Sequence, residues 1–429
     1  MDWVLIKNLR NNIGRQVEIR GWLYNQRSSG KIRFLIMRDG SGTVQCVLTR
    51  GDNPELFKLA GEITQESSLK VIGTVQEDSR SPIGVEVSVI SLEVIGKAEP
   101  YPISLKEHGV DFLSENRHLW IRTPRQASIL RIRSTVEKAC RDFFHQRDFV
   151  LADSPIITPA ACEGTTNLFE INYHDEKAYL SQSGQLYNEA TAMALGRVYC
   201  FGPTFRAEKS KTRRHLMEFW MLEAEAAFLE FEENMKLQED LICHLVRTVL
   251  SENRSDLITL GRDIGKLEAV SPPFPRLSYT EAVDILKKEG FDFEWGNDFG
   301  APEETALSGR FSSPVFIHRF PAAIKAFYME PDPENPNVIL GADLLAPEGY
   351  GEIIGGSQRI SDPVLLRKKI EEHNLPVEIF NWYLDLRRYG TVPHSGFGLG
   401  IERTVAWLCG IEHVREAIPF PRTLYRMYP

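Results

Sequence analysis

Between residues 17 and 95 the apolar positions fall in short runs rich in β-branched side chains. The runs are VEIRGWL (17–23), IRFLIMR (32–38), TVQCVL (43–48), SLKVIGTV (68–75) and VEVSVISLEVI (85–95), separated by Gly, Asp and Ser. That pattern predicts five strands. A helical stretch, PELFKLAGEI (54–63), lies between the third and fourth. Five strands with a helix at that place predict a small closed barrel of the oligonucleotide-binding kind, an OB fold. Periodicity alone leaves other small β barrels open. Trp22 is expected in the barrel core.

The pattern then changes. GKAEPYPISLKEHG (96–109) contains two prolines and little apolar periodicity, the mark of a linker. We therefore expect a barrel domain over residues 1–97, a hinge over 98–115 and a second domain over 116–429. In that second domain Ile129, Ile132, Val136, Cys140 and Phe143 share one helical face, and Leu237, Leu241, Leu245 and Val249 share another. Ser278 and Glu281 form a capping box ahead of Ala282, Val283, Ile285 and Leu286, and Gly290 supplies the stop. SPVFIHRF (313–320), NVILGADLL (337–345) and GEIIGG (351–356) read as strands. The expected class is α+β with more than one domain.

Composition narrows the reading. A chain of 429 residues, 42% hydrophobic and 25% charged, is long enough for two or three well-cored domains and argues against disorder. No run approaches eighteen apolar residues, and the first residues lack the basic, apolar and small-residue order of a secretory signal. A soluble cytoplasmic protein with no membrane contact is the expectation. Six scattered cysteines without a C-x-x-C pair suggest buried thiols in a reducing compartment and no zinc site. Residues 1–97 carry 13 Lys and Arg against 11 Asp and Glu, whereas the whole chain has a net charge of −9. An acidic body repels a polyanion, so any nucleic-acid contact is expected in local patches.

One such patch stands out. FRAEKSKTRRHLMEFW (205–220) places Arg206, Lys209, Lys211, Arg213 and Arg214 within nine residues, against one acid, Glu208. A solvated loop would account for the charge alone. The order of residue types suits a nucleotide, which needs cations at its phosphates, an acceptor for the adenine amino group and an aromatic face for the base. Arg206, Glu208, His215 and Phe219 supply these. No G-x-x-x-x-G-K-[ST] occurs and GFGLG (396–400) is not G-x-G-x-x-G, which argues against a P-loop enzyme and a dinucleotide-binding Rossmann domain.

FRAE followed by a basic loop, His215 and Phe219 resembles the second signature motif of the class II aminoacyl-tRNA synthetases. GFGLGIERTVAWLCG (396–410) resembles their third, and FFHQRDFVLADSPIITP (143–159) their first. The three occur in the family's order. A β barrel, a hinge and a class II body make up the layout of the aspartyl, asparaginyl and lysyl subclass, so the resemblance spans essentially the whole chain. It departs at Asp148, where glycine often precedes the first motif's strand; Pro155, usually at the dimer interface, is kept, and a homodimer is expected. The body should then be a class II catalytic domain, an antiparallel sheet flanked by helices.

The resemblance implies two steps: an amino-acid carboxylate attacks the α-phosphorus of ATP, and the acyl group then passes to a terminal ribose hydroxyl of tRNA. Such chemistry rests on positioning and electrostatics. Arg206 matches the arginine at the α-phosphate and Arg403 the one at the γ-phosphate, both permanently charged. Glu208 would accept from the adenine amino group, Phe219 would stack on the ring, and His215 with Arg214 would sit near the distal phosphates. Asp343 and Glu352 match an acidic pair that holds Mg²⁺ against the phosphates, a hard-oxygen set of the kind Mg²⁺ takes; their spacing is slightly longer than usual, and a solvated pair is the alternative.

The same resemblance bears on the amino acid. Ser183 and Gln185 in LSQSGQLYNEATAM match the loop that covers it, and Glu163 matches the glutamate that binds its ammonium group. Aspartate-specific relatives have lysine three residues after that glutamine; here stands Asn188. Arg359 would grip the side-chain oxygen and Glu223 would accept from a carboxamide NH₂. Aspartate would face Glu223 without a compensating cation, a buried imbalance that costs roughly 3 to 5 kcal/mol, or about 10² to 10³ in preference. L-asparagine is thus the expected substrate and tRNA(Asn) the expected RNA partner, with no DNA. On the barrel, Phe34 and Gln45 match positions that hold the central anticodon base, with Arg27 beside them; a core role is the alternative for Phe34. Competing readings are an aspartyl enzyme with relaxed tRNA choice, a non-catalytic RNA-binding paralogue, and an amidoligase on the same fold.

Overall fold

Strands β1 (Gln16–Ser29), β2 (Ile32–Asp39), β3 (Gly42–Thr49), β4 (Ser68–Glu77) and β5 (Val85–Gly96) close a barrel in the order β1-β2-β3-β5-β4, in a computed structural model that describes residues 3–81, 83–159 and 167–429. All five predicted strands are present, because their alternation sorts side chains by face. Val17, Ile19, Leu23, Leu35, Met37, Val44, Cys46 and Leu48 fill the interior. Helix α1 (Pro54–Gly61) lies where expected, with the Asn53 side chain accepting from the Leu56 N–H, and it buries Leu56, Phe57 and Ala60. Trp22 is a correction: Leu23 faces inward, so its neighbour faces out, 40% exposed, under the Arg38 guanidinium at 4.7 Å.

The barrel belongs to a first unit, Met1–Pro124, which also holds the short helices α2 (Val110–Glu115) and α3 (Arg117–Trp120). Within it Glu66 accepts from both Arg38 and Arg122, and the Tyr101 hydroxyl donates to the Leu119 carbonyl at 3.0 Å.

The second unit, Arg125–Pro429, is built on an eight-stranded sheet. Its order is β12 (Arg276–Ser278), β13 (Val315–His318), β14 (Gly341–Ala346), β15 (Gly351–Gln358), β16 (His394–Gly400), β11 (Glu218–Ala227), β10 (Arg197–Phe205) and β6 (Val150–Leu151). The antiparallel arrangement holds from β13 to β10; the two edge strands join in parallel. A separate three-stranded sheet runs β7 (Ile157–Thr158), β9 (Glu176–Leu180), β8 (Glu170–Tyr173). The helices are α4 (Pro124–His145), α5 (Gln185–Leu195), α6 (Phe231–Glu252), α7 (Arg254–Leu260), α8 (Ile264–Glu268), α9 (Tyr279–Lys288), α10 (Ala301–Ser308), α11 (Pro363–Glu372), α12 (Asn381–Arg388) and α13 (Ile401–Cys409).

The periodic faces are the buried ones. Ile129, Ile132, Val136, Cys140 and Phe143 of α4 join Leu241, Leu245 and Val249 of α6 in one core with Leu222, Ile354, Phe397 and Leu399 from the sheet. Each such side chain contributes about 1.5–3 kcal/mol of burial free energy. The capping box at α9 forms in both directions, Ser278 Oγ accepting from the Glu281 N–H at 3.2 Å and Glu281 accepting from the Ser278 N–H at 2.8 Å. Five of the six cysteines, Cys46, Cys140, Cys200, Cys243 and Cys409, are buried free thiols; Cys162 lies outside the described residues.

Candidate active site

The basic block is the connection of a hairpin. β10 ends at Phe205 and β11 begins at Glu218, paired in antiparallel register from Arg197↔Ala226 to Phe205↔Glu218, so Arg206 to Met217 bridge the two strands. Phe219, Met221, Glu223 and Glu225 alternate along β11 and share a face. Directly opposite Glu223 on β16 is Gly398, opposite Gly398 on β15 is Gly355, and opposite Gly355 on β14 is Asp343. The backbones of Glu223 and Asp343 thus stand about 14 Å apart across three interstrand steps, with only glycine between them in register. Glycine at these positions makes room for side chains from beside them: Met221 Cε lies 2.5 Å from where a Gly398 Cβ would stand, and Glu352 Oε1 2.7 Å from that of Gly355.

One cleft collects every residue assigned above to the nucleotide. Arg206, Glu208, Arg214, His215, Phe219, Glu352 and Arg403 all line it, with Met221, Gly398 and Gly400 from the sheet. The Arg206 guanidinium lies 5.6 Å from the Phe219 ring centre. Arg403, in the first turn of α13, donates to the Glu352 carbonyl. Arg214 bonds Glu304 of α10 at 2.8 Å, Thr305 at 2.7 Å and the Gly349 carbonyl. His215 is held below the ordinary histidine range by burial and by the Arg403 and Arg206 charges, so its ring is neutral at physiological pH and bonds Thr212. Burial, then Glu352, pushes the Glu304 carboxyl up to about 7. Three arginines, Arg206, Arg214 and Arg403, face three glutamates, Glu208, Glu352 and Glu402, in the lining of this cleft.

At one end of the glycine floor are the acids. A Cβ on Gly355 would meet Glu352 Oε1 at 2.7 Å and Asp343 Oδ1 at 3.5 Å, so the two carboxylates converge over this glycine. Asp343 pairs with Lys325 at 2.7 Å. Burial pushes its carboxyl up to about 7 against the pull of Lys325, and Glu352 adds to the rise. Burial alone would depress Lys325, but Asp343 and Glu352 hold its ammonium group above the usual range. No group of three or more His, Cys, Asp or Glu is arranged for a metal among the described residues. Two hard-oxygen donors without a protein cage fit a divalent ion that completes its shell with water and phosphate.

At the other end lies Glu223. Ser183 Oγ donates to its Oε1, and the Gly184 N–H donates to its Oε2 at 2.7 Å. Asn188 is fully buried; its amide donates to the Glu223 carbonyl at 3.1 Å and accepts from Ser154 Oγ at 3.2 Å. Ser183, Asn188 and Glu223 are therefore one bonded group. Pro155 is exposed at the rim of a cavity that also touches Gly184, Cys200 and Glu223. Glu163 lies outside the described residues.

Three residues that sequence reasoning missed complete this end. Arg359 is clamped by Glu225, whose Oε1 accepts from Nη2 and whose Oε2 accepts from Nε at 3.3 Å, and it donates to Ser357 Oγ at 2.8 Å. Gly396, opposite Glu225, has no room for a Cβ because the Glu225 carboxylate fills it. Burial pushes Glu225 up to about 8 despite Arg359, with Glu189 adding to the rise. Glu189 of α5 and Arg387 of α12 form the third and fourth members of this network, 2.5 Å apart and buried. On the barrel, Arg27, Phe34 and Gln45 are brought together: Arg27 lies 4.4 Å over the Phe34 ring and donates to Gln45 Oε1 at 3.4 Å. Phe34 faces outward, since Leu35 and Met37 hold the core positions.

Known proteins resemble this chain along its whole length. The profile of the OB-fold nucleic acid binding domain matches residues 17–95, and that of tRNA synthetases class II (D, K and N) matches residues 109–424. The asparagine–tRNA ligase of Pelotomaculum thermopropionicum is 71% identical over 430 residues, covering 100% of both chains, and that of Desulforamulus reducens is 67% identical over 429, also covering 100% of both. The asparaginyl-tRNA synthetase of Pyrococcus horikoshii, solved with asparaginyl-adenylate, superposes with a TM-score of 0.95 at 44% identity over 100% of each chain. The aspartyl-tRNA synthetase of Entamoeba histolytica superposes less well, with a TM-score of 0.84 at 28% identity over 100% of this chain and 93% of that one. With both profiles and full-length relatives in agreement, the chain belongs to the class II tRNA synthetases of the D, K and N group.

Proposed function

We propose that the chain is an asparagine–tRNA ligase that joins L-asparagine to the 3′ end of tRNA(Asn) in two steps. The convergence of seven nucleotide-type residues, spread from Arg206 to Arg403, on one cleft carries this reading. In the first step the asparagine carboxylate attacks the α-phosphorus of ATP, the bond to the bridging oxygen breaks, and diphosphate leaves. Arg206 stabilises charge on the α-phosphate; Arg403, with Arg214 and neutral His215 nearby, takes the distal phosphates. Phe219 stacks on adenine and Glu208 accepts from its amino group. In the second step a terminal ribose hydroxyl of the tRNA attacks the acyl carbon and AMP leaves. Little acid–base work is asked of the protein, and permanent guanidinium charge in a partly dehydrated cleft supplies the stabilisation.

The family is ATP-dependent and generally needs a divalent metal. Glu352 and Asp343 would hold Mg²⁺, which would neutralise phosphate charge when bound. Ser183 and Gln185 would cover the amino acid, Glu163 would take its ammonium group, and Arg359 and Glu223 the carboxamide. Asn188 acts at one remove, by fixing the Glu223 backbone. Arg27, Phe34 and Gln45 would receive the central anticodon base. Exposed Val150, Leu151, Ile156 and Ile157 around Pro155 support a homodimer; no described helix is long and apolar enough to cross a membrane. ATP–diphosphate exchange tests the activity: asparagine should support it, aspartate should be at least about 10²-fold poorer, and Arg206→Ala should abolish it in a chain that still folds. Exchange retained by Arg206→Ala, or driven equally by both amino acids, would overturn the proposal.

A further inference from the structure

Glu189 stands one helical turn beyond Gln185 on α5 and is fully buried. Its carboxylate is the meeting point of four donors. Oε1 accepts from Gln185 Nε2 at 3.1 Å and from the Tyr383 hydroxyl at 2.7 Å, while Oε2 accepts from Arg387 Nη2 at 2.5 Å and lies 3.0 Å from His394 Nε2. Arg359 Nε is 4.0 Å from Oε1. An ionised carboxylate only accepts, so Gln185 must turn its NH₂ toward Glu189, and its carbonyl oxygen is fixed in the opposite sense. Arg359 lies between two carboxylates, Glu189 and Glu225. Glu225 accepts from Arg359 through both oxygens, and despite burial Arg387 and His394 hold Glu189 below the usual carboxylate range.

We propose that Glu189 is the positioning residue that couples the two ends of the amino-acid pocket: it presents Gln185 as an acceptor for the ammonium group and, together with Glu225, compensates the charge of Arg359, so that the side-chain end prefers a neutral carboxamide to a carboxylate. This deepens the asparagine reading and rests on it. Removing the charge while keeping the shape, with Glu189→Gln, releases both constraints, because a carboxamide cannot accept from all four donors. A change confined to binding appears in KM, and a change in discrimination appears in the ratio of kcat/KM values.

The test is ATP–diphosphate exchange by the full-length chain with asparagine or aspartate as substrate. Glu189→Gln should raise KM for asparagine about tenfold or more, lower the asparagine-to-aspartate ratio of kcat/KM about fivefold or more, and leave KM for ATP within about twofold. Glu189→Asp, which keeps the charge but withdraws it by one methylene, should raise KM for asparagine and preserve the ratio. A purely structural role would lower kcat for both amino acids alike, with KM for asparagine and the ratio unmoved, and that result overturns the proposal. Should Glu189→Gln fail to fold by circular dichroism, the KM of Glu189→Asp decides; failure of both variants to fold also overturns it. An unaltered chain without asparagine-dependent exchange would instead sink the activity reading beneath it.

Discussion

Removing the Arg133 guanidinium should cost the second unit several kcal/mol and weaken its hold on ATP. Arg133 of α4 donates from Nη1 to Glu402 Oε1 at 2.7 Å and to the Ala417 carbonyl at 2.9 Å, and its Nε pairs with Glu137 at 2.9 Å. Glu402 is buried in the first turn of α13, and its Oε2 accepts from the Trp220 N–H at 3.0 Å. Burial already raises its carboxyl above the ordinary value against the pull of Arg133. With Arg133→Met the carboxylate keeps one strong donor and no cation, and breaking a buried pair from one side costs about 3–5 kcal/mol. At roughly 2–3 °C per kcal/mol for a unit of this size, the melting midpoint should fall by about 6–15 °C. Because Arg403 follows Glu402 directly, KM for ATP should rise as well. Urea denaturation of the parent, Arg133→Met, Glu402→Gln and the double variant closes a cycle. The double variant should regain about 2 kcal/mol of the loss, since the carboxamide that Glu402→Gln introduces has no charge to strand and still accepts from the Trp220 N–H. An Arg133→Met variant within about 1 kcal/mol of the parent, or a double variant no more stable than the single, would refute the argument.

Three other outcomes are expected. Phe34→Ala should weaken tRNA charging through KM for tRNA by about 10- to 100-fold, since stacking on an aromatic face contributes ~1–3 kcal/mol per base, while asparagine-dependent exchange stays unchanged; parallel loss of exchange would speak against a role confined to tRNA. Asn188→Lys should shift preference toward aspartate, yet lose about 1–3 kcal/mol of stability through overpacking, because Asn188 is fully buried and bonded to Ser154 and Glu223; denaturation together with exchange measures both. His413 Nδ1 accepts from the Arg415 N–H at 3.1 Å, and burial, with Arg415 and Arg213, depresses its pKa to about 4. Its contribution is complete above the unfolded value near 6.5 and is lost as pH falls through about 4, about 1 kcal/mol once solvent screening of a half-buried ring is allowed for. Melting of His413→Asn should lack that loss relative to the parent, and identical pH profiles would contradict it.

The barrel was legible because every strand in it carries one apolar face, with one helical stretch between the third and fourth. Helices α4, α6 and α9 were legible for the same reason at a longer period. Strand β16 was not readable from propensity: HSGFGLG is poor in strand formers, and its glycines answer to neighbours the chain brings from elsewhere, such as Glu225 against Gly396 and Met221 against Gly398. The nucleotide residues were found through their motif order, whereas Glu225 and Glu189 were passed over although each carried a local signal. Glu225 repeats the face of Glu223 two residues on, and Glu189 repeats the face of Gln185 four residues on. What the sequence lacked was the partner: Arg359 and Arg387 reach these acids only through the fold. Trp22 was misread because an aromatic residue in a strand suits a barrel's outer surface under an arginine as well as its interior.

The nucleotide cleft joins a hairpin from the middle of the chain to α13 near its carboxyl end. A ribosome must therefore pass α13 before Arg403 can meet Arg206, and a nascent chain stalled after the hairpin carries the basic loop without its counterpart. A chain that stops before α13 therefore lacks the assembled cleft.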